Sequence, residues 1–412
     1  MSPRATDRPA ASGRLHGYPL GLLLLLGALA GLVVTPLLHL DPHLNPDSLD
    51  FEAIARSLLA GHGFVYREAM FPSLSLYAFR APGYPLFLAA GLALGGVRAA
   101  IALNGIVTGL AAALVGAIAF RLGGARAGWI AFAIRMVWPV AWWNAGQLMS
   151  ETLFEFLTVL ATWLALECVQ RRSTALAVAS GGVAAAALLT RPVGVMAALA
   201  LGIWLVARRP RAAVAFALAA LMAWSPWPIR NAKRLHAFVP MVTSSGLVRW
   251  TMHAGLPPST AWAWMAAHSD QGELAMDRHF RAENSRLAHA PLLERLRDTM
   301  SNTLTYLGPI RGRTRELWLH RFAMLAAFSA LLLPAARPRL VLPALLWLSQ
   351  GALMISLEVS QRFRFPTDWC VVIAAAVGLA ALADRWGARR TALAAAAALA
   401  LCVAGTIVVA RP

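Results

Sequence analysis

Three carboxylates, Asp47, Asp50 and Glu52, stand on one short polar segment, Asn45-Pro-Asp-Ser-Leu-Asp-Phe-Glu52. An arginine, Arg80, follows in the next polar stretch, Phe79-Arg-Ala-Pro-Gly-Tyr-Pro85, and a further carboxylate, Glu151, emerges from apolar sequence at Gln147-Leu-Met-Ser-Glu151. A carboxylate can take a proton from a hydroxyl, and a guanidinium can hold a phosphate through charge-assisted hydrogen bonds. In a chain that is otherwise mostly apolar, these residues meet at a lipid surface, so chemistry on a lipid-linked substrate is the first expectation. The plainer alternative for Asp47 is a cap: it follows Pro46 at a helix start, and Gly61 and Gly63 would end that helix. Capping leaves Asp50, Glu52, Arg80 and Glu151 unexplained, because acidic groups beside lipid are costly unless they are paired or used.

The elements that must position these residues follow from composition. Of 412 residues, 59% are hydrophobic and 14% charged, and the mean hydropathy is +0.61. That leaves too little polar sequence to coat a soluble globule of this size. Apolar stretches near 18–38, 99–120, 128–147, 152–170, 174–190, 193–207, 211–227, 317–335, 340–357, 368–384 and 391–410 approach bilayer length. The expected fold is an all-α polytopic membrane protein with about eleven transmembrane helices. The expected organisation is an N-terminal membrane module over 1–227 with an external loop at 39–98, a partly helical external loop over 228–316, and C-terminal transmembrane helices over 317–412.

The net charge of +18 comes almost wholly from arginine, Lys233 being the only lysine. Arg4, Arg8 and Arg14, then Arg121 and Arg126, Arg171 and Arg172, Arg208, Arg209 and Arg211, Arg337 and Arg339, and Arg385, Arg389 and Arg390 fall in alternate loops. The positive-inside rule makes those loops and the N-terminus cytoplasmic, in a plasma or inner membrane. The charge therefore reads as topology and contact with anionic lipid, with no nucleic-acid partner. The run from Leu20 continues past the signal-like Ala28-Leu-Ala30 to Leu38, so it is expected to remain as a membrane anchor. Cys168, Cys370 and Cys402 are widely separated and offer no metal spacing or disulfide framework. His39 and His43 lack a third ligand, and Arg135, within a span, needs a partner that the sequence does not name.

Two short segments fit helices on the outer surface better than spans. In 47–60, Phe51, Ile54, Ala55, Leu58 and Leu59 follow helical spacing and are expected to bury one face in the membrane interface. Segment 82–96 is too short to cross alone and would invert the arginine pattern if it did. Within 228–316, Trp250, Trp262 and Trp264 suit either sugar stacking or interface anchoring.

The pattern Asp-Ser-x-x-Phe-x-x-x-Ala-x-x-Leu-x-x-Gly-x-Gly-Phe from Asp47, then Arg-x-Pro-Gly-Tyr-Pro-Leu-Phe-Leu from Arg80, resembles the first external loop of GT-C superfamily membrane glycosyltransferases of the family 39-like group. That group includes protein O-mannosyltransferases and the lipid A aminoarabinose transferase. Ser150-Glu-Thr-Leu-Phe154, Leu189-Thr-Arg-Pro192, Ser225-Pro-Trp-Pro-Ile-Arg-Asn231, Phe238-Val-Pro-Met-Val-Thr-Ser-Ser-Gly246 and Gln361-Arg-Phe-Arg-Phe-Pro366 resemble further motifs of the group, in the same order. Phe51 stands where the group usually has tyrosine.

The resemblance implies an inverting transfer of a hexosyl or pentosyl group from a polyprenyl-phosphate sugar to an acceptor hydroxyl at the outer face, the acceptor being a lipid, a glycan or a protein. It implies Asp47 as base, with Glu151 holding the acceptor, a metal or a neighbouring arginine. Arg80, Arg191, Arg230, Arg362 and Arg364 would bind the lipid phosphate, and Asp50 and Tyr84 would line the pocket. No metal ligand set and no cofactor are assigned, with a divalent metal left open. A surface-polysaccharide polymerase or ligase and a lipid-linked sugar transporter are the alternatives. The absence of an internal repeat weighs against the transporter.

Overall fold

Apolar residues crowd this sequence so densely that helices, which satisfy every backbone hydrogen bond internally, are the structure lipid permits. The computed structural model describes residues 19–67, 73–253, 258–287, 292–307, 317–355 and 364–409. Among them the helices in chain order are α1 (Leu20–Leu37), α2 (Asp47–Leu59), α3 (Gly83–Met136), α4 (Pro139–Ala145), α5 (Ser150–Arg171), α6 (Thr174–Thr190), α7 (Gly194–Val206), α8 (Pro210–Trp224), α9 (Pro226–Leu235), α10 (Ser245–His253), α11 (Pro258–Ala267), α12 (Glu273–Leu287), α13 (Leu292–Leu307), α14 (Leu317–Leu331), α15 (Val341–Ile355), α16 (Asp368–Trp386) and α17 (Ala388–Val409). The only strand-like pairing among the described residues is the antiparallel bridge of Tyr66 with Leu76. The expected all-α polytopic architecture is the one observed. Among the described residues, five helical stretches are long and apolar enough to cross a membrane: Leu20–Leu37, Gly83–Met136, Ser150–Arg171, Pro210–Leu235 and Phe365–Trp386. Thr174–Thr190 and Gly194–Val206 are shorter apolar helices.

One sequence expectation is altered by backbone chemistry. The expected span 128–147 is broken, because α3 ends at Met136 and α4 starts at Pro139, behind an extended Trp138 (φ −77°, ψ 104°). Proline disfavours a helical conformation in the residue before it. The long α3 is itself three helices: Gly96 (φ 70°) and Gly124 (φ 83°) adopt backbone conformations open mainly to glycine, which leaves stretches 83–94, 97–123 and 125–136. The first stretch folds back on the second, since a Cβ at Gly91 would lie 2.7 Å from Ala100 Cα.

The bundle core is the contact of α3, α5, α6, α14 and α16, lined by Val115, Ile118, Val159, Ala184, Ala323, Trp369 and Val372. Charge separates along α5. Glu151 stands in its first turn. Glu167, near its other end, accepts from Arg121 Nε at 2.8 Å and from Arg171 Nε at 2.5 Å. Helical rise puts the two carboxylates about 24 Å apart along the axis. Arg121 and Arg171, both assigned to the cytoplasm, thus meet at one end of α5, and the candidate chemistry lies at the other.

Candidate functional site

The segment carrying the acidic residues folds as α2. Its buried side, Ser48, Asp50, Phe51, Glu52, Ile54 and Ala55, faces protein. Phe51 meets the Tyr84 ring edge-on with centroids 5.1 Å apart, and Ile54 joins Tyr66 and Phe79 in a common cluster. This corrects the expectation that the apolar face lies in the membrane interface: protein covers Phe51, Ile54 and Ala55, while Leu49 and Leu59 are the exposed apolar residues of the helix.

Asp47 opens α2, yet its carboxylate is turned to Arg80. Asn45 Oδ1 accepts from the Asp47 amide at 3.2 Å. Arg80 Nη2 donates to Asp47 Oδ1 at 2.6 Å and to Asp50 Oδ2 at 2.5 Å, and Arg80 Nε donates to Asp50 Oδ2 at 3.0 Å. Positions 47 and 50 are i and i+3 on one helix face, which is why a single guanidinium reaches both. Phe51 and Phe79 flank it, each ring centroid within 5.4 Å of the Arg80 Cζ.

The two carboxylates differ in exposure: the Asp50 side chain is 4% exposed and the Asp47 side chain 29%. Burial pushes the Asp50 carboxyl up against the opposing pull of Arg80, whereas the Arg80 guanidinium, despite its own burial, is held charged by both aspartates. Glu52, on the adjoining face, is bonded to His43 and Arg56. Burial pushes its carboxyl up, but the hydrogen bonds from His43 and Arg56 outweigh this and leave it below the usual range.

A second ion pair lies beside this one. Arg191, which caps α6, places Nη1 2.8 Å from Glu151 Oε1 and 2.9 Å from Ser150 Oγ. Of the three roles open to Glu151, the neighbouring arginine is what the structure provides. Tyr84 links the two pairs. It packs on Phe51, accepts from Asn104 Nδ2 at 3.2 Å and lies in the field of Glu151. Gly83 lets α3 start against the end of α6, since a Cβ there would stand 2.4 Å from Thr190 Oγ1.

Arg230 and Arg364 are engaged elsewhere. Arg230 Nη1 donates to Tyr77 O at 2.5 Å and Nη2 to Phe64 O at 2.7 Å, which pins the loop before Arg80. Arg364 is 2% exposed, with Nε 3.5 Å from Asp368 Oδ1 inside the helix packing. Arg362 lies outside the described residues. Trp264 is stacked by the imidazoles of His268 and His279, with centroids 4.3 and 3.9 Å away. His43 is bonded to Glu52 and His39 Nδ1 meets Leu37 O, so the two histidines do not converge.

Sequence reasoning missed several partners. Glu155 pairs with Arg135 through Nε at 3.0 Å and through Nη2. Asp368 stands beside Arg364, and Glu273 holds the loop before Arg80. The signal available for the first two was an acid within an apolar run, which lipid tolerates only when paired. Among the described residues no three His, Cys, Asp or Glu side chains gather as metal ligands, and the α2 aspartates are bridged by Arg80.

No protein-family model matches the chain, nor does any curated protein. Solved structures do. The Archaeoglobus fulgidus oligosaccharyltransferase in complex with Zn and sulfate superposes with a TM-score of 0.59 at 15% identity, over 93% of this chain and 53% of that one. This chain shares its fold with that enzyme over the matched length. The archaeal enzyme with an inhibitory peptide and a dolichol-phosphate superposes with a TM-score of 0.54 at 13% identity, over 96% of this chain and 56% of that one. The chain described here therefore spans about half the length of the oligosaccharyltransferase chains it matches. ArnT from Cupriavidus metallidurans bound to undecaprenyl phosphate is a more distant likeness, with a TM-score of 0.42 at 15% identity over 89% of this chain and 78% of that one.

Proposed function

We propose that the chain is an inverting glycosyltransferase that moves a sugar from a polyprenyl-phosphate carrier to an acceptor hydroxyl at the outer face of a cell membrane. The observation that carries this reading is the Asp47–Arg80–Asp50 arrangement. A buried aspartate anchors an arginine, and that arginine orients a second, accessible aspartate. Asp47 takes the proton of the acceptor hydroxyl as its oxygen attacks the anomeric carbon from the face opposite the phosphate. The carbon–oxygen bond to the phosphate breaks, and its electron pair leaves on the lipid phosphate.

Arg80 spends Nε and Nη2 on the aspartates. Its Nη1 edge is the donor for the leaving phosphate, whose charge grows as the bond breaks. Glu151 and Arg191 form the adjoining polar wall, with Arg191 the second phosphate donor. Arg230 and Arg364, engaged inside the protein, act in structure. The dolichol-phosphate held by the structurally similar archaeal enzyme supports a lipid phosphate as ligand, and the clustering of arginines at the far end of α5 supports the outer placement.

Membranes carrying wild type or Asp47→Asn, at equal abundance, are supplied with radiolabelled sugar on polyprenyl phosphate. General-base catalysis contributes on the order of a hundredfold or more, so label in the acceptor fraction is expected to fall by at least that factor in the variant. Equal labelling would remove Asp47 from the chemistry, and no labelling by either would favour a transporter, which makes no acceptor product.

A further inference from the structure

The segment leading into Arg80 is held by a different part of the chain. Glu273, the first residue of α12, is buried at 4% exposure. Its Oε2 accepts from the Tyr77 amide at 2.5 Å, and its Oε1 accepts from the Ala78 amide at 2.8 Å and from the Thr243 hydroxyl at 2.7 Å. The carbonyls of the same two residues are taken from the same side: Arg230 donates to Tyr77 O at 2.5 Å, and the Thr243 amide donates to Ala78 O at 2.9 Å. All four backbone polar groups of Tyr77 and Ala78 are therefore bonded to residues between Arg230 and Glu273. Phe79 follows, buried at 1%, stacked on Tyr66 at 5.7 Å and set against Trp262 at 6.4 Å. The next residue is Arg80, whose guanidinium lies against the Phe79 ring.

We infer that Glu273 is a positioning residue for Arg80, the joint through which the external segment 238–287 sets the guanidinium between Asp47 and Asp50. This rests on the reading of Arg80 as the phosphate donor in the proposed transfer. The physical case is one of geometry and substitution chemistry. A carboxylate is the acceptor-only group that can receive two successive backbone N–H groups and a hydroxyl together. Glutamine at this position keeps the shape but turns an NH2 toward one of those donors. The four bonds fix the path of residues 77 and 78, and with it the direction in which residue 80 leaves the loop. An arginine aimed only by its own rotamers would have no such constraint, and small misplacements of a reacting group carry large rate penalties.

The test uses full-length protein in detergent or membranes and two independent readouts. The first is amide exchange by mass spectrometry over a peptide spanning 73–81. Loss of a charge-assisted hydrogen bond corresponds to about a tenfold or greater rise in exchange, which is expected for Glu273→Gln in that peptide while peptides from α5 and α16 are unchanged. Thr243→Val, which removes only the hydroxyl, is expected to give a smaller rise in the same peptide and keeps the test open if Glu273→Gln fails to fold.

The second readout is a double-mutant cycle on sugar transfer with Arg80→Lys. If Glu273 acts through Arg80, Glu273→Gln costs about tenfold in the wild-type background and less than about twofold in the Arg80→Lys background. Independent losses that multiply would overturn the positioning role, as would unchanged exchange in 73–81 for both folded variants. Altered exchange with no transfer by any variant, wild type included, would reject the proposed reaction and with it Arg80 as its target, while the backbone joint itself stood.

Discussion

Arg135 and Glu155 illustrate what lipid demands of a single charged residue. Both side chains are at most 1% exposed, and the pair is joined by three hydrogen bonds. Removing one partner from a buried pair strands the other charge and costs about 3–5 kcal/mol, whereas an apolar replacement of both is far better tolerated. Glu155→Gln is therefore expected to lower the thermal midpoint of the purified protein sharply, and Arg135→Met with Glu155→Leu to recover most of it. Equal destabilisation by the single and double variants would show that the charges themselves are not what matters. At this scale the sequence was readable where polar residues cluster. Asp47, Asp50 and Arg80 stood out because they interrupt apolar sequence, and the structure brings them within hydrogen-bonding distance. Glu155, Asp368 and Glu273 were not singled out, because a lone acid shows its partner only when the chain is folded, and the Glu273 carboxylate reaches amides 195 residues away. Arg364 shared the motif pattern of an outer phosphate ligand, but pattern carries no information on which way a side chain turns.

Helix α1 lies on α3 through glycine. A Cβ at Gly27 would stand 2.3 Å from Gly109 O, one at Gly31 2.0 Å from Gly105 O, and one at Gly109 1.8 Å from Gly27 O. The spacing Gly-x-x-x-Gly on both helices brings backbone onto backbone, the arrangement by which small residues drive association inside a bilayer. Gly109→Leu is expected to separate α1 from α3 and to leave the α5–α16 core intact. It should appear as faster proteolysis or cross-linking loss at α1, with little change at Glu151. Retained cross-linking between cysteines placed on α1 and α3 would overturn this. The hydropathy pattern predicted α1 and stretch 97–123 as membrane helices well, since length and apolarity are local properties. The break at Pro139, inside the expected span 128–147, was less visible, because only packing decides where an apolar run must turn, whereas the segments on either side of Gly96 and of Gly124 were already separate in the sequence.

Across the whole molecule, charge is sorted by end. Asp47, Arg80, Glu151 and Arg191 gather near the start of α5. Arg121, Arg171 and Glu167 meet near its finish, where the exposed pair of Arg126 with Asp384 continues the same arginine-rich side. If the first end faces outward, an impermeant maleimide on intact cells labels Leu59→Cys, which is 50% exposed, and reaches Trp386→Cys, 49% exposed, only after permeabilisation. The reverse pattern would invert the proposed topology. The native cysteines are all buried, which keeps the background low.

The glycine contact between α1 and α3 also imposes an order in time. Chains are made from the N-terminus, so α1 enters the bilayer before the residues that cover its glycines exist. Until stretch 97–123 is made, Gly27 and Gly31 lack the backbone they pack against in the folded chain. The polar segment bearing Asp47 is made in that interval, so α2 can settle on Tyr84 only once the start of α3 has emerged, and the site's first carboxylates wait for the arginine that orients them.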